Sequence, residues 1–106
     1  MKLPEIIASL IAAQDKFDSK AFAENFSEDA IVHDEGKTHR GKTEIRKWNE
    51  ATNAKYKTKY KPLDIKTKGN TITMKAEISG TFDGSPAIIN YAFEIKEGKI
   101  YSLKIV

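Results

Sequence analysis

The chain has no cysteine in its 106 residues, which excludes disulfides, thiolate metal sites and a cysteine nucleophile, and leaves stability to packing. A chain without cysteine also suits a reducing compartment. No apolar run approaches the ~18–20 residues that cross a bilayer. The N-terminus lacks the charged region, apolar stretch and small-residue cleavage site of a secretory signal. These absences lead to the expectation of a soluble, cytoplasmic protein with no membrane partner. The six glycines are separated turn residues rather than a clustered phosphate-binding loop, so a nucleotide cofactor is not expected. Histidine is scarce as well, with His33 and His39 alone. His33 adjoins Asp34, but neighbours on a strand point to opposite faces, so the two should not form a catalytic dyad. No spacing brings three ligands together, and we expect neither a metal nor a cofactor.

Of what is present, charge comes first: eighteen Lys and Arg against fifteen Asp and Glu leave a net charge of +3. Both signs are interleaved, which reads as a solvated surface rather than a phosphate-binding patch. In Lys55-Tyr-Lys-Thr-Lys-Tyr-Lys61 the lysines and tyrosines alternate. A nucleic-acid platform would want cations and rings on one face, so an edge strand guarded by lysines is the better reading, and no nucleic-acid partner is expected. With 40% hydrophobic residues, the chain can fill one core, and a single domain over residues 1–106 is the expected organisation.

The periodicity changes along the chain. From Pro4 to Phe17 the apolar Ile6, Ile7, Leu10, Ile11 and Phe17 recur at helical spacing, and Pro4 with Glu5 suits a first turn. Asp18 offers an N-cap for a short second helix burying Ala21, Phe22 and Phe26, which Ser27-Glu28-Asp29 ends. Ala30 to Asp34 has strand character, and Glu35 to Gly41 reads as a polar loop. A third helix opens after Gly41, with Ile45 and Trp48 on one side, and fades near Thr52 or Asn53. Beyond it the period falls to two. Lys55–Lys61 reads as a strand broken by an edge irregularity at Pro62 and resuming through Ile65. After a Gly69-Asn70 turn, Ile72, Met74, Ala76, Ile78 and Phe82 share one face. Asp83-Gly84-Ser85-Pro86 turns the chain into a strand with Ile89, Tyr91, Phe93 and Ile95 inward, and Glu97-Gly98 leads into a last strand. Helices first and short-turned strands second make an α+β class with a mostly antiparallel sheet covered on one face.

Asn25-Phe-Ser-Glu-Asp-Ala-Ile-Val-His-Asp34, followed by Gly41-Lys-Thr-Glu-Ile-Arg-Lys-Trp48, resembles the SnoaL-like and ketosteroid isomerase-like pattern of the nuclear transport factor 2-like superfamily. Gly80-Thr-Phe-Asp-Gly-Ser-Pro86, Tyr91-Ala-Phe-Glu-Ile95 and Gly98-Lys-Ile100 are similar to its last strands and turns. The resemblance implies a cone, also known as cystatin-like, in which a curved sheet wraps around the N-terminal helices and leaves a deep, mostly apolar pocket. It also implies a homodimer paired through the outer sheet face, which here would include Thr71, Thr73, Ser79 and Ile88. The superfamily holds isomerases, dehydratases, epoxide hydrolases and polyketide cyclases beside binding domains, so reaction does not follow from fold.

By this resemblance Asp34 falls where the family places the carboxylate that moves a proton between substrate carbons. An apolar cavity strips water from a carboxylate and makes it a better proton acceptor, whereas the bland reading is a loop Asp bonded to nearby backbone. Enolate chemistry also needs hydrogen-bond donors for the oxygen. The first-helix position of the family's tyrosine donor looks like Leu10 here, and the strand carboxylic acid is replaced by Tyr91 or a neighbour of its parity. Tyr91 is thus a candidate donor or a core aromatic. Trp48 would wall the pocket near Asp34, or close the helix onto the sheet. Tyr56, Tyr60 and Phe93 would shape the rest. Two functions compete: a cofactor-free isomerase, cyclase or hydrolase on an apolar small molecule with Asp34 as acid or base, and a noncatalytic ligand-binding or dimeric interaction domain.

Overall fold

A computed structural model of the chain describes residues 2–34 and 36–106. Three helices, α1 (Glu5–Asp15), α2 (Ser19–Glu24) and α3 (Gly41–Tyr56), accompany six strands: β1 (Phe26–Asp34), β2 (Lys37–Arg40), β3 (Lys59–Lys68), β4 (Thr71–Ser79), β5 (Ala87–Lys96) and β6 (Lys99–Ile105). The strands form one sheet in the order β2-β1-β6-β5-β4-β3. Its pairs are antiparallel except β1–β6, which run parallel. The α+β class with a mostly antiparallel sheet is the one the periodicity predicts. The parallel pair joins the early strand to the last one, a long-range contact that local patterning does not encode.

α1 begins at Pro4, whose carbonyl accepts from the amides of Ile7 and Ala8 at 3.0 and 2.9 Å. Proline suits this place because the first amides of a helix have no intrahelical partner. Its buried stripe is Ile7, Leu10, Ile11, Ala13 and Gln14. Phe17, expected on that stripe, lies outside the helix at φ 52° and is 39% exposed. The amide of Asp18 donates to the Ala13 carbonyl and that of Phe17 to Gln14, a Schellman stop with phenylalanine where glycine is usual. Lys59 lays its ammonium 4.8 Å from the Phe17 ring centre and donates to the Asp15 carbonyl at 2.7 Å. A lysine of the edge strand therefore satisfies a helix end.

Asp18 caps α2 by accepting from the Ala21 amide at 3.0 Å. Phe26, read as the end of that helix, instead opens β1, because Asn25 turns its side-chain amide back onto the Ala21 and Phe22 carbonyls and stops the helix. Residues 27–29, read as a turn, belong to the same strand. The polar segment read as a loop contains β2, which pairs Lys37 with Asp34 and His39 with Val32. Its composition gives no period-two signal; the tight return onto β1 makes it a strand. Glu35 lies outside the described residues.

α3 begins with the Glu44 carboxylate reaching back to accept from the amide of the N-cap residue Arg40 at 3.0 Å. It runs to Tyr56, past the expected end near Thr52 or Asn53, and Lys57 at φ 51° closes it. The extension has a cause in packing. Asn49 and Asn53, poor helix formers when exposed, are buried and join Gln14, Ser19 and Thr58 in one hydrogen-bonded cluster. Gln14 donates to Asn53 Oδ1 at 2.7 Å and to the Thr58 carbonyl at 2.8 Å, and accepts from Asn49 Nδ2 at 2.9 Å. Ser19 donates to Asn49 Oδ1 at 2.6 Å. These bonds tie α1, α2, α3 and the entry to β3 at one corner. Tyr56 thus ends a helix and Tyr60 lies on a strand, so the single lysine–tyrosine strand predicted over 55–61 divides into two elements.

The sheet follows its alternation closely. Ile72, Met74, Ala76 and Ile78 are buried on β4, and Tyr91 and Phe93 on β5. β3 is an edge strand with a register shift between Pro62 and Asp64, where proline cannot donate to the ladder. The Gly69-Asn70 turn has positive φ at its first position only, and Glu97-Gly98 has it at both. Those patterns fit two-residue hairpins of types II′ and I′. Phe82, expected on β4, stands beyond the strand's end at Ser79 and packs edge-on against Tyr56, ring centres 6.0 Å apart.

Candidate functional site

The helices cover one face of the sheet, and α3 does not seal it completely. Between α3, the inward faces of β3–β6 and the ends of β1 and β2 lies a cavity of about 740 Å³. This is the size of a small-molecule site. Trp48, Ala51, Ile78, Phe82, Ile89 and Ile105 supply apolar wall, while Asp34, Tyr60 and Tyr91 bring polar groups to it. Lys37, His39, Lys55 and Asp83 add charged or titratable groups around it.

Asp34 is the last residue of β1, where alternation from the buried Val32 turns its side chain to the helix side of the sheet. Its Oδ2 accepts the indole Nε1–H of Trp48 at 3.0 Å. Among the described residues this is the one hydrogen bond made to the carboxylate, and Asp34 lines the cavity. Trp48 itself is fixed from two sides: His39 stacks on its ring at 5.6 Å between centres, and Phe22 tilts against it at 6.1 Å. β2 matters here, because it delivers His39 to the indole. His33, by strand alternation, faces away from Asp34.

Tyr60 and Tyr91 face the same space, with ring centres 5.8 Å apart. Burial raises the Tyr60 hydroxyl well above the ordinary tyrosine range, and the charge of Asp34 raises it further. For Tyr91 burial again leads, followed by Tyr60 and then Asp34. Both phenols therefore remain protonated and able to donate wherever proteins usually work. Tyr91 rests on Phe93, ring centres 6.3 Å apart.

The tertiary structure thus brings Asp34, Trp48, Tyr56, Tyr60 and Tyr91 to one cavity. Leu10 and Phe93 are not among its lining residues; both lie in the closed core, 1% and 0% exposed, and the Phe93 ring stacks on that of Tyr91. The inward parity of Phe93 is as predicted. His39, Ile89, Ile105 and the Phe82–Asp83 corner also line the cavity without having been singled out in the sequence. For Ile89 the strand parity already carried the signal, whereas His39 had none until β2 was seen to pair. Among the described residues no group of three or more His, Cys, Asp or Glu could hold a metal ion. No helix among them is long and apolar enough to cross a membrane.

The SnoaL-like domain model matches residues 7–103. The chain belongs to the SnoaL-like family. A solved structure from Sinorhizobium meliloti, provisionally designated a polyketide cyclase, is 36% identical over 98% of this chain and 95% of that one, with a TM-score of 0.93. A protein from Catenulispora acidiphila with a ketosteroid isomerase-like fold, solved with trimethylamine, shares 21% identity over 99% of this chain and 86% of its own, at a TM-score of 0.87. An epoxide hydrolase/cyclase-like enzyme of pyran ring formation in salinomycin shares 22% over 95% and 86%, at 0.78. The last two establish likeness of fold only. No curated protein matches the chain.

Proposed function

We propose that this SnoaL-like domain binds an apolar small molecule in its cavity and acts on it without a cofactor, as an isomerase, cyclase or hydrolase with Asp34 as acid or base. The observation that carries the reading is the hydrogen bond from Trp48 to Asp34, which secures one oxygen of a carboxylate on the cavity wall. A base must be oriented before it can be efficient, and an indole donor at 3.0 Å orients it without supplying a competing proton acceptor. Phenol donors on the opposing strands are of the type that binds a ligand oxygen. The designation of the Sinorhizobium meliloti relative as a cyclase agrees with this class.

The test is a product screen, by NMR and mass spectrometry, of carbonyl compounds and epoxides incubated with the native chain and with Asp34→Asn. Conversion is expected from the native chain, reduced by on the order of 100-fold or more in the variant, with binding largely kept. Equal conversion by Asp34→Asn would remove the proposed role. Binding of screened compounds with no conversion by either protein would identify a ligand-binding domain instead.

A homodimer through the helix-free sheet face belongs to the same reading. Thr73, Ser79 and Ile88 are exposed there, Ile88 by 52%, while Thr71 bonds to Glu94 across the strands at 3.0 Å. Light scattering should give twice the chain mass at micromolar concentration; a persistent monomer at high concentration would contradict it.

A further inference from the structure

The pairing of β1 with β2 places His39 opposite Val32 and Lys37 opposite Asp34. Cross-strand partners point to one face, so a single hairpin carries the Asp34 carboxylate and the His39 imidazole to the cavity that both of them line. His39 is half-buried there, and among the described residues its side chain makes no hydrogen bond or ion pair. Its ring lies instead on the Trp48 indole, at 29° between planes and 5.6 Å between centres. A titratable side chain is thus stacked on the very group that donates to Asp34.

The indole is a flat donor, and its N–H reaches Asp34 Oδ2 at 3.0 Å only while the ring plane is held. Phe22 from α2 meets that plane at 55° and 6.1 Å, a tilted contact that leaves the ring room to turn. The near-parallel contact with His39 opposes such turning, because a rotated indole would cut into the imidazole face. His39 also differs from any other ring that could stack here. Histidine gains a proton between about pH 5 and 8, and a cation over an indole face is attracted by its π electrons. That pull draws electron density from Nε1 and makes its N–H a stronger donor. The charged and titratable groups that share the cavity with His39 are Asp34, Lys37, Lys55, Tyr60, Asp83 and Tyr91, and of these Asp34 and Lys37 stand on its own hairpin.

We propose that His39 is a positioning residue for Asp34: through the stacked indole it sets the direction of the hydrogen bond to the carboxylate, and its protonation strengthens that bond. The consequence for turnover rests on the reading of Asp34 as acid or base; the bond and its dependence on His39 do not. A carboxylate held more firmly at the acid end of the histidine range is less free to move a proton, while neutral His39 keeps the orientation and relaxes the hold. β2 thereby has a role beyond extending the sheet, as the strand that brings a proton-sensitive ring to the indole.

The indole resonance of the only tryptophan reads this directly. In proton–nitrogen spectra of the full chain from about pH 5 to 8, the Nε1–H signal is expected to move downfield as pH falls, with the same midpoint as the His39 ring protons. His39→Phe keeps a flat ring on the indole, so the signal should stay near its high-pH native position and lose the pH-dependent step. His39→Ala removes the ring, and the signal should lie upfield at every pH. His33→Gln, on the opposite face of β1, should leave the step unchanged. A signal that is flat across the range in the native chain, a step that survives in His39→Phe, or a native indole position in His39→Ala overturns the proposal. If His39→Ala unfolds, His39→Phe alone decides. A product screen without conversion leaves the positioning role standing when the step is found. A flat indole signal beside conversion that Asp34→Asn abolishes removes His39 and leaves Asp34 in place.

Discussion

Trp48 is the sole tryptophan, so its indole proton gives one resolvable signal, and that proton is donated to Asp34. A hydrogen bond to an ionised acceptor is shorter and stronger than one to a neutral amide. The expected outcome of Asp34→Asn is an upfield shift of the indole Nε1–H resonance in a proton–nitrogen spectrum, with the rest of the spectrum little changed. An indole signal that does not move would mean the bond is absent in solution. Asp34 was a candidate from its motif and Trp48 from its uniqueness, and each could be named singly in the sequence. The bond between them could not, because fourteen residues and a strand-to-helix passage separate them. Leu10 and Phe93 show the converse. The helical spacing placed Leu10 on the buried stripe of its helix and strand parity turned Phe93 inward, but neither pattern says whether an inward side chain meets a cavity or another core residue.

Helix and strand types were mostly readable, while several boundaries were not, and the end of the third helix shows one cause. α3 runs past Asn49 and Asn53 because the cluster around Gln14 satisfies their amides inside the protein. Removing the hub should therefore damage more than one helix. Gln14→Met keeps the side chain's length but leaves Asn53 Oδ1, the Thr58 carbonyl and Asn49 Nδ2 short of a partner. A loss of at least about 2 kcal/mol in unfolding free energy is expected by urea denaturation, since buried polar groups left unpaired cost about 1–3 kcal/mol each. A change under about 0.5 kcal/mol would show that the cluster contributes little. The far end of α3 is held differently. The Thr81 amide donates to the Tyr56 carbonyl at 2.7 Å, and a β-carbon at Gly80 would stand 2.5 Å from that oxygen. Glycine at 80 is thus required by the close approach of two backbones, and that approach places Phe82 beside Tyr56 at the cavity.

Across the whole fold, the buried phenols link the cavity to pH-dependent stability. In the unfolded chain each tyrosine titrates near its ordinary value of 10.0, while in the folded chain Tyr60 and Tyr91 are both raised. Above pH 10.0 the unfolded state releases protons that the folded state retains, so ionisation favours unfolding. The contribution is fully present below that pH and is lost as pH rises towards the folded-state values. Urea denaturation from pH 9 to pH 11 should show stability falling more steeply in the native chain than in Tyr60→Phe. Parallel curves would mean that Tyr60 is solvated in the folded protein.

The order of helices and strands, the inward parity of β4 and β5 and the two tight hairpins are local properties. Period, glycine placement and the irregularity at Pro62 act over a few residues, so the sequence by itself determined them and with them the α+β class. The Asn25–Asp34 and Gly41–Trp48 motifs carried the family. Tertiary structure decided the parallel β1–β6 pair, β2 within a polar segment, the length of α3 and the separation of cavity wall from solid core. Each depends on contacts between residues far apart in the chain. Their free energy comes from groups that meet only after the sheet has closed against the helices, and no short stretch of sequence contains both partners.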